Sequence, residues 1–304
     1  MKMKQLKIIA SMFVAILLTA CGGGGGGSSS TTTFTAFTKY DDVSPGDRVE
    51  ISGLSTEADY EQALLTSTIT SSTPTGSVDS GALVRMSYDS SGALEELKIV
   101  SAGGTELVFD SQSTFTLGTE YTSVTNSSAD ATAAYGTLTN WDYTAFGVWG
   151  AKDTALLGNL GAFSMGAETS GGSIPVSSSA TYTGNSVGYY TGSNGSLSIV
   201  RADLTANADF ANRSISISST NSYVNIIAGG SGSGYVSQLD YNGTLSYPNG
   251  VNVLTGNVSL ANGLNGPIAG RFYGPNAEEL GATFSMTSGG TGIESYIGAF
   301  GASK

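Results

Sequence analysis

Val200-Arg201-Ala202-Asp203-Leu204-Thr205-Ala206-Asn207-Ala208-Asp209-Phe210 places apolar or small residues at every second position. A period of two is the mark of a strand with one buried and one wet face. The same alternation runs on either side of this stretch. Leu239, Tyr241, Gly243, Leu245 and Tyr247 form a second stripe, and Leu254, Gly256, Val258 and Leu260 a third. Leu280, Ala282, Phe284 and Met286 form a fourth. Ile215 and Ile217 alternate with serines, and Ile268, Gly270 and Phe272 alternate again. Ala180, Tyr182 and Gly184 open the series, and 296–301 closes it. That predicts eight strands from about 178 to 304, broken by Gly, Asn, Ser and Pro. Pro248-Asn249-Gly250 is a turn with a mechanism, because Pro presets φ and Asn-Gly tolerates positive φ. Eight antiparallel strands can close into a small barrel and so remove their edges. Glycines inside the strands support closure by letting them bend. A two-sheet sandwich is the structural alternative.

Residues 34–177 are also strand-like, but less regular. Segments 83–88 and 94–100 flank Asp89-Ser90-Ser91-Gly92 and predict a hairpin, with a further strand over 106–109. Segment 58–65 reads as one short helix. Both tryptophans lie in Trp141-Asp142-Tyr143-Thr144-Ala145-Phe146-Gly147-Val148-Trp149, where aromatics alternate around a glycine. These read as the core of a sheet domain, with a ligand platform as the sharper alternative. The expected class is all-β, an N-terminal β-rich domain followed by an eight-stranded antiparallel barrel.

The N-terminus carries targeting chemistry. Lys2, Lys4 and Lys7 precede the uncharged apolar stretch 8–18, which is too short to span a bilayer as a helix. Leu18-Thr19-Ala20-Cys21 follows, and Cys21 is the sole cysteine of the chain. Residues 1–20 thus read as a signal peptide. The junction resembles the lipobox of bacterial lipoproteins, which implies lipid, diacylglycerol and an acyl group such as palmitate, on Cys21. A single cysteine excludes an intrachain disulfide. Residues 22–33 are Gly, Ser and Thr alone, so 21–33 is the lipidated cysteine and a flexible tether. Gly22 follows the cysteine where an inner-membrane retention signal has aspartate, so outer-membrane placement is expected.

Loss of the three signal-peptide lysines takes the formal charge from −12 to about −15. So acidic a surface repels nucleic acid and anionic lipid. The chain has no histidine, which removes Ser-His and Cys-His catalysis, His-ligated zinc and His-ligated haem together. No phosphate-binding loop or EF-hand pattern is present. Glu95-Glu96 and Glu278-Glu279 are adjacent acids, which point to opposite faces of a strand and read as solvated surface. An enzyme is not expected, nor a resident cofactor or metal.

Gly270-Arg271-Phe272-Tyr273-Gly274-Pro275-Asn276-Ala277-Glu278-Glu279-Leu280-Gly281-Ala282-Thr283-Phe284 resembles the pattern G-x-F-Y-G-P-x-A-x-E-x-G-G-x-F of the transferrin-binding protein B family. Ala282 stands where that pattern has glycine. Gly298-Ala299-Phe300-Gly301, Ala180-Thr181-Tyr182-Thr183-Gly184 and Ala208-Asp209-Phe210-Ala211-Asn212-Arg213 fit as well, and Gly147-Val148-Trp149 extends the likeness into the first half. The resemblance implies an N-terminal handle domain over 34–177 and a soluble eight-stranded barrel over 178–304, in the single-lobe form of the family.

It further implies a lipid-anchored cell-surface protein of the outer membrane. Such a protein binds a host protein or a small nutrient solute in iron or haem acquisition. A TonB-dependent receptor and a Slam-type translocator are the implied partners. Haem is open as a ligand, though not by histidine ligation. Family binding surfaces lie in variable loops, so the resemblance transfers no ligand-binding residue. Tyr189, Tyr190 and Tyr235 flank loop stretches and are expected to be incidental. The competing readings are a structural or adhesive lipoprotein without a nutrient role, and an integral outer-membrane barrel. Against the latter, the chain ends Gly301-Ala302-Ser303-Lys304 without a terminal aromatic.

Overall fold

The computed structural model describes residues 33–64, 66–118, 121–135, 141–154, 156–288 and 292–304. Cys21, the signal segment and residues 21–32 of the tether lie outside the described residues.

Ten strands make the first sheet: β1 (Thr35–Ala36), β2 (Arg48–Gln62), β3 (Ile69–Tyr88), β4 (Leu94–Val100), β5 (Glu106–Phe109), β6 (Thr114–Leu117), β7 (Thr122–Thr125), β8 (Ala129–Tyr135), β9 (Thr144–Lys152) and β10 (Leu157–Gly166). Their spatial order is β5-β4-β3-β2-β10-β9-β8-β7-β6. Two meanders, 48–109 and 114–166, therefore join where β2 pairs with β10. Short β1 adds in parallel to β2. The predicted hairpin over 83–100 is present, and Asp89 Oδ1 closes its turn by accepting the Ser91 and Ala93 N–H groups at 2.8 and 2.9 Å.

The helix expected over 58–65 is not there. Residues 58–62 continue β2, and Leu65 lies outside the described residues. Both flanks of β2 are occupied, by β3 and β10, so the backbone here is laddered on both sides. Ala58 and Tyr60 point into apolar packing, while Asp59 and Glu61 stay exposed. That is a strand period, and across so few residues it is easily taken for a helical one.

The chain crosses to the second sheet through residues 167–178. The second sheet holds β11 (Ser179–Thr191), β12 (Leu197–Asp209), β13 (Ser214–Ala228), β14 (Ser233–Tyr235), β15 (Tyr241–Ser246), β16 (Leu254–Leu260), β17 (Asn265–Tyr273), β18 (Glu279–Thr287) and β19 (Ser295–Ser303). The order is β12-β11-β19-β18-β17-β16-β15-β13, and β13 pairs back onto β12. The ring is closed, eight-stranded and antiparallel, which rules out the sandwich. Short β14 hangs on the outer half of β13. Gly250, at φ +73°, makes the predicted 248–250 turn.

Inward residues fill the barrel with apolar and aromatic side chains. Two aromatic groups lie one above the other. Tyr182, Phe210 and Tyr247 surround Phe272 at centroid distances of 6.1, 5.9 and 5.5 Å. Tyr241 and Tyr296 pack on Phe284 at 4.9 and 5.1 Å. Gly298 makes this possible, because a Cβ there would come within 2.5 Å of the Phe284 ring. Phe284→Ala removes a fully buried ring from a core that cannot collapse around the gap. We expect a loss of about 3–5 kcal/mol, read as a lowered urea midpoint.

Candidate functional site

The first sheet has two apolar faces, and the alternation along β9 shows how they are used. Phe146 and Val148 face the barrel, while Ala145 and Trp149 face the first sheet's own core with Phe109, Phe163 and Met165. Both tryptophans are core residues, which decides against the ligand platform. On the barrel side, Ala58, Tyr60, Leu160, Ala162, Phe146 and Val148 pack on Val187, Tyr189, Ile297 and Ala299. The barrel wall formed by β18 and β19 is therefore buried on both faces.

The Gly270–Phe284 sequence pattern lies at this joint. Its inward residues Phe272, Leu280, Ala282 and Phe284 build the barrel core. Its outward residues meet the first sheet. The Tyr273 hydroxyl donates to the Ser164 carbonyl of β10 at 3.1 Å. The Thr283 hydroxyl donates to the Val78 carbonyl of β3. The Glu279 carboxylate accepts the Asp142 N–H at 2.7 Å and the Tyr143 N–H at 3.1 Å, just before β9.

Glu279 is 3% exposed, so its reading as a solvated acid is corrected. Adjacent carboxyls do point apart, but here both sides of the strand are not solvent. Glu278 stays near water beside Asn276, and Glu279 enters the joint. Desolvation pushes the Glu279 carboxyl up to about 7, against the lowering effect of its backbone N–H donors. The glutamate in the recognised pattern was the available signal for this role. Burial of the face opposite the core was not visible in the sequence.

The two ends of the barrel differ. Turns 192–196, 229–240 and 261–264, with Ser288 and Glu294, share one end with Ala63, Leu64, Asp153, Thr154 and Leu156 of the first sheet. The Ile69 N–H donates to the Gly195 carbonyl at 2.8 Å, which ties the two sets together. Glu294 accepts the Tyr190 hydroxyl at 2.5 Å and the Asn262 amide at 3.0 Å, tying two barrel turns.

Six large apolar or aromatic side chains stand exposed at this end: Leu64, Leu156, Leu157, Tyr223, Ile227 and Tyr235. Tyr235 is 76% exposed and meets Tyr223 edge-on at 5.2 Å. Asp59, Glu61 and Asp153 are exposed around them. The described N-terminus enters at the opposite end, where β1 pairs with the start of β2 and the Tyr40 N–H donates to the Asp142 carbonyl at 2.9 Å. Of the three tyrosines flanking predicted loops, only Tyr235 is free on the surface. Tyr189 is 3% exposed and belongs to the joint.

Among the described residues, no three of His, Cys, Asp and Glu converge as metal ligands. No helix among them is long and apolar enough to cross a membrane. A shallow depression of about 500 Å³ on the outer wall is lined by Asn242, Thr244, Ser246, Thr255 and Asn257. It is open to solvent and carries no charge. The exposed loop end is the better candidate for recognition.

The joint makes its own prediction. A Cβ at Gly301 would lie 2.6 Å from the rings of both Phe146 and Trp141. Gly301→Val should force the sheets apart and cost about 1–3 kcal/mol. Limited proteolysis should then cut the crossing segment 167–178 faster than in the unaltered chain.

Residues 174–304 match the family model described as the C-lobe and N-lobe β-barrels of transferrin-binding protein B. The match begins at Ile174, whose side chain already sits in the barrel core. No curated protein matches the chain. Among solved structures, a transferrin-binding protein B mutant from Haemophilus parasuis is 16% identical, with a TM-score of 0.47 over 82% of this chain and 45% of that one. The isotype 1 protein from Neisseria meningitidis is 17% identical, with a TM-score of 0.43 over 73% of this chain and 51% of that one. HpuA from Kingella denitrificans, solved in complex with human haemoglobin, is 11% identical, with a TM-score of 0.39 over 89% and 94%. The chain thus spans about half the length of the first two. The match to the transferrin-binding protein B barrels thus covers the barrel of this chain, which a single β-sheet precedes.

Proposed function

We propose that this protein is a lipid-anchored outer-membrane surface protein that captures a host protein in iron or haem acquisition. It is a binder and not an enzyme. One observation carries the reading: exposed apolar and aromatic side chains gather at the end of the molecule opposite the entry of the N-terminal chain. With lipid on Cys21 and a Gly/Ser/Thr tether, that arrangement turns the loop end away from the membrane. An exposed apolar group with an acidic surround suits a protein patch that is apolar at its centre and basic at its rim.

The kinship of the barrel and the haemoglobin bound by HpuA favour an iron-carrying host protein as the partner. A TonB-dependent receptor would take the iron or haem onward, and a Slam-type translocator would deliver the protein to the surface. Haem itself, if handled, is held without histidine.

Two outcomes follow. Immobilised protein should capture human transferrin or human haemoglobin. Tyr235→Ala should weaken that capture at least about tenfold, as for an aromatic anchor, while Val176→Ala at the other end should not. Capture of neither protein, with no Soret change on haem titration, contradicts the reading. Separately, labelled palmitate should enter the chain, and Cys21→Ser should abolish both labelling and membrane retention.

A further inference from the structure

Each sheet sends one carboxylate into the joint. From the barrel, Glu279 reaches the backbone N–H groups ahead of β9. From the first sheet, half-buried Asp130 of β8 accepts the hydroxyl of barrel residue Tyr189 at 3.4 Å. Gly150 keeps the space for this second contact, since a Cβ there would lie 3.0 Å from Asp130 Oδ1. Among the described residues neither carboxylate has an ion-pair partner. A buried carboxylate supported by amide dipoles and hydroxyls alone is costly to keep charged.

We propose that the contact between the first sheet and the barrel is a proton-sensitive joint, tightened when Glu279 and Asp130 take up protons and loosened when they lose them.

The surroundings agree. Around Glu279 stand the carboxyls of Asp142 and Glu278 and the phenol of Tyr143. The cations that act on its neighbours Glu278 and Tyr143 serve other groups: Lys304 binds the Asn276 carbonyl and Lys39 pairs with Asp42. Around Asp130 stand Tyr189, Tyr60, Asp153 near Tyr60, and one cation, Lys152. Desolvation is the largest influence on both acids and raises both, Glu279 to about 7. The Tyr189 hydroxyl and Lys152 oppose it at Asp130.

The sign follows from linkage. An unfolded glutamate gives up its proton near pH 4.3, roughly, whereas the folded one holds it until near neutrality. Over that interval the folded state binds the extra proton, so stability is greatest at the acid end and falls as pH rises. The bond from the Ile69 N–H to the Gly195 carbonyl spans the same two sheets, so looseness of the joint reaches the exposed loop end.

The test uses the whole chain in mild detergent. Its thermal midpoint should fall by about 5 °C between pH 5 and pH 8. Glu279→Gln should remove most of that fall, and adding Asp130→Asn the rest. A midpoint flat across the range, or equally steep in both variants, overturns the proposal. If Glu279→Gln fails to fold, the carboxyl carbon of Glu279 can be titrated by NMR in the unaltered chain. An inflection near neutrality supports the proposal, and one in the ordinary carboxylate range overturns it. Neither readout involves a partner, so the outcome is independent of the proposed capture function.

Discussion

The molecule turns on one constraint: β18 and β19 must satisfy packing on both faces at once. A barrel strand usually has a wet outer face, which tolerates any polar residue. Here that face is covered by a second sheet, so each outward position has to be small, apolar or hydrogen-bonded across. The observed residues obey this closely. Gly281 and Gly301 admit neighbouring rings and hydroxyls, Ala299 and Ile297 pack, and Thr283 and Glu279 find backbone partners. The motif in the sequence is the written form of this double requirement. Its inward half fills a barrel, and its outward half fastens a handle.

What was legible in the sequence follows the same division. β12, β13, β15 and β16 have one wet face, so serines, threonines and asparagines alternate with Leu, Ile and Val. Those strands and their turns could be placed from that pattern alone. The first sheet was harder because its centre is dry on both sides. Along 54–58, Leu54, Ser55, Thr56, Glu57 and Ala58 are all buried, so the alternation is lost just ahead of the segment that reads as a helix and only a few alternating residues remain there. Glu57 even accepts the Gly103 N–H at 3.0 Å from within that core.

The candidate site was less legible than the fold. Tyr189 and Tyr190 are neighbours in sequence, yet one is sealed in the joint and the other reaches Glu294 at the loop end. Tyr235 looked no different from either. Its exposure follows from β14, a three-residue strand added to the outer half of β13 after a glycine-rich turn. Local pattern does not encode which loop faces which sheet. That information resides in pairings far apart in sequence, such as Ile69 with Gly195 and Asp142 with Glu279.

The functional account depends on the joint. A loop end assembled from two sheets can recognise a partner only if the sheets keep a fixed relation, because a wandering half loses complementarity on every encounter. The direct measurement is the distance between spin labels at Leu64→Cys on the first sheet and Tyr235→Cys on the barrel, in a Cys21→Ser background. A single narrow distribution at pH 6 is the expected result. A broad or two-peaked distribution at that pH would show that the sheets move independently, and would contradict the claim that they present one surface.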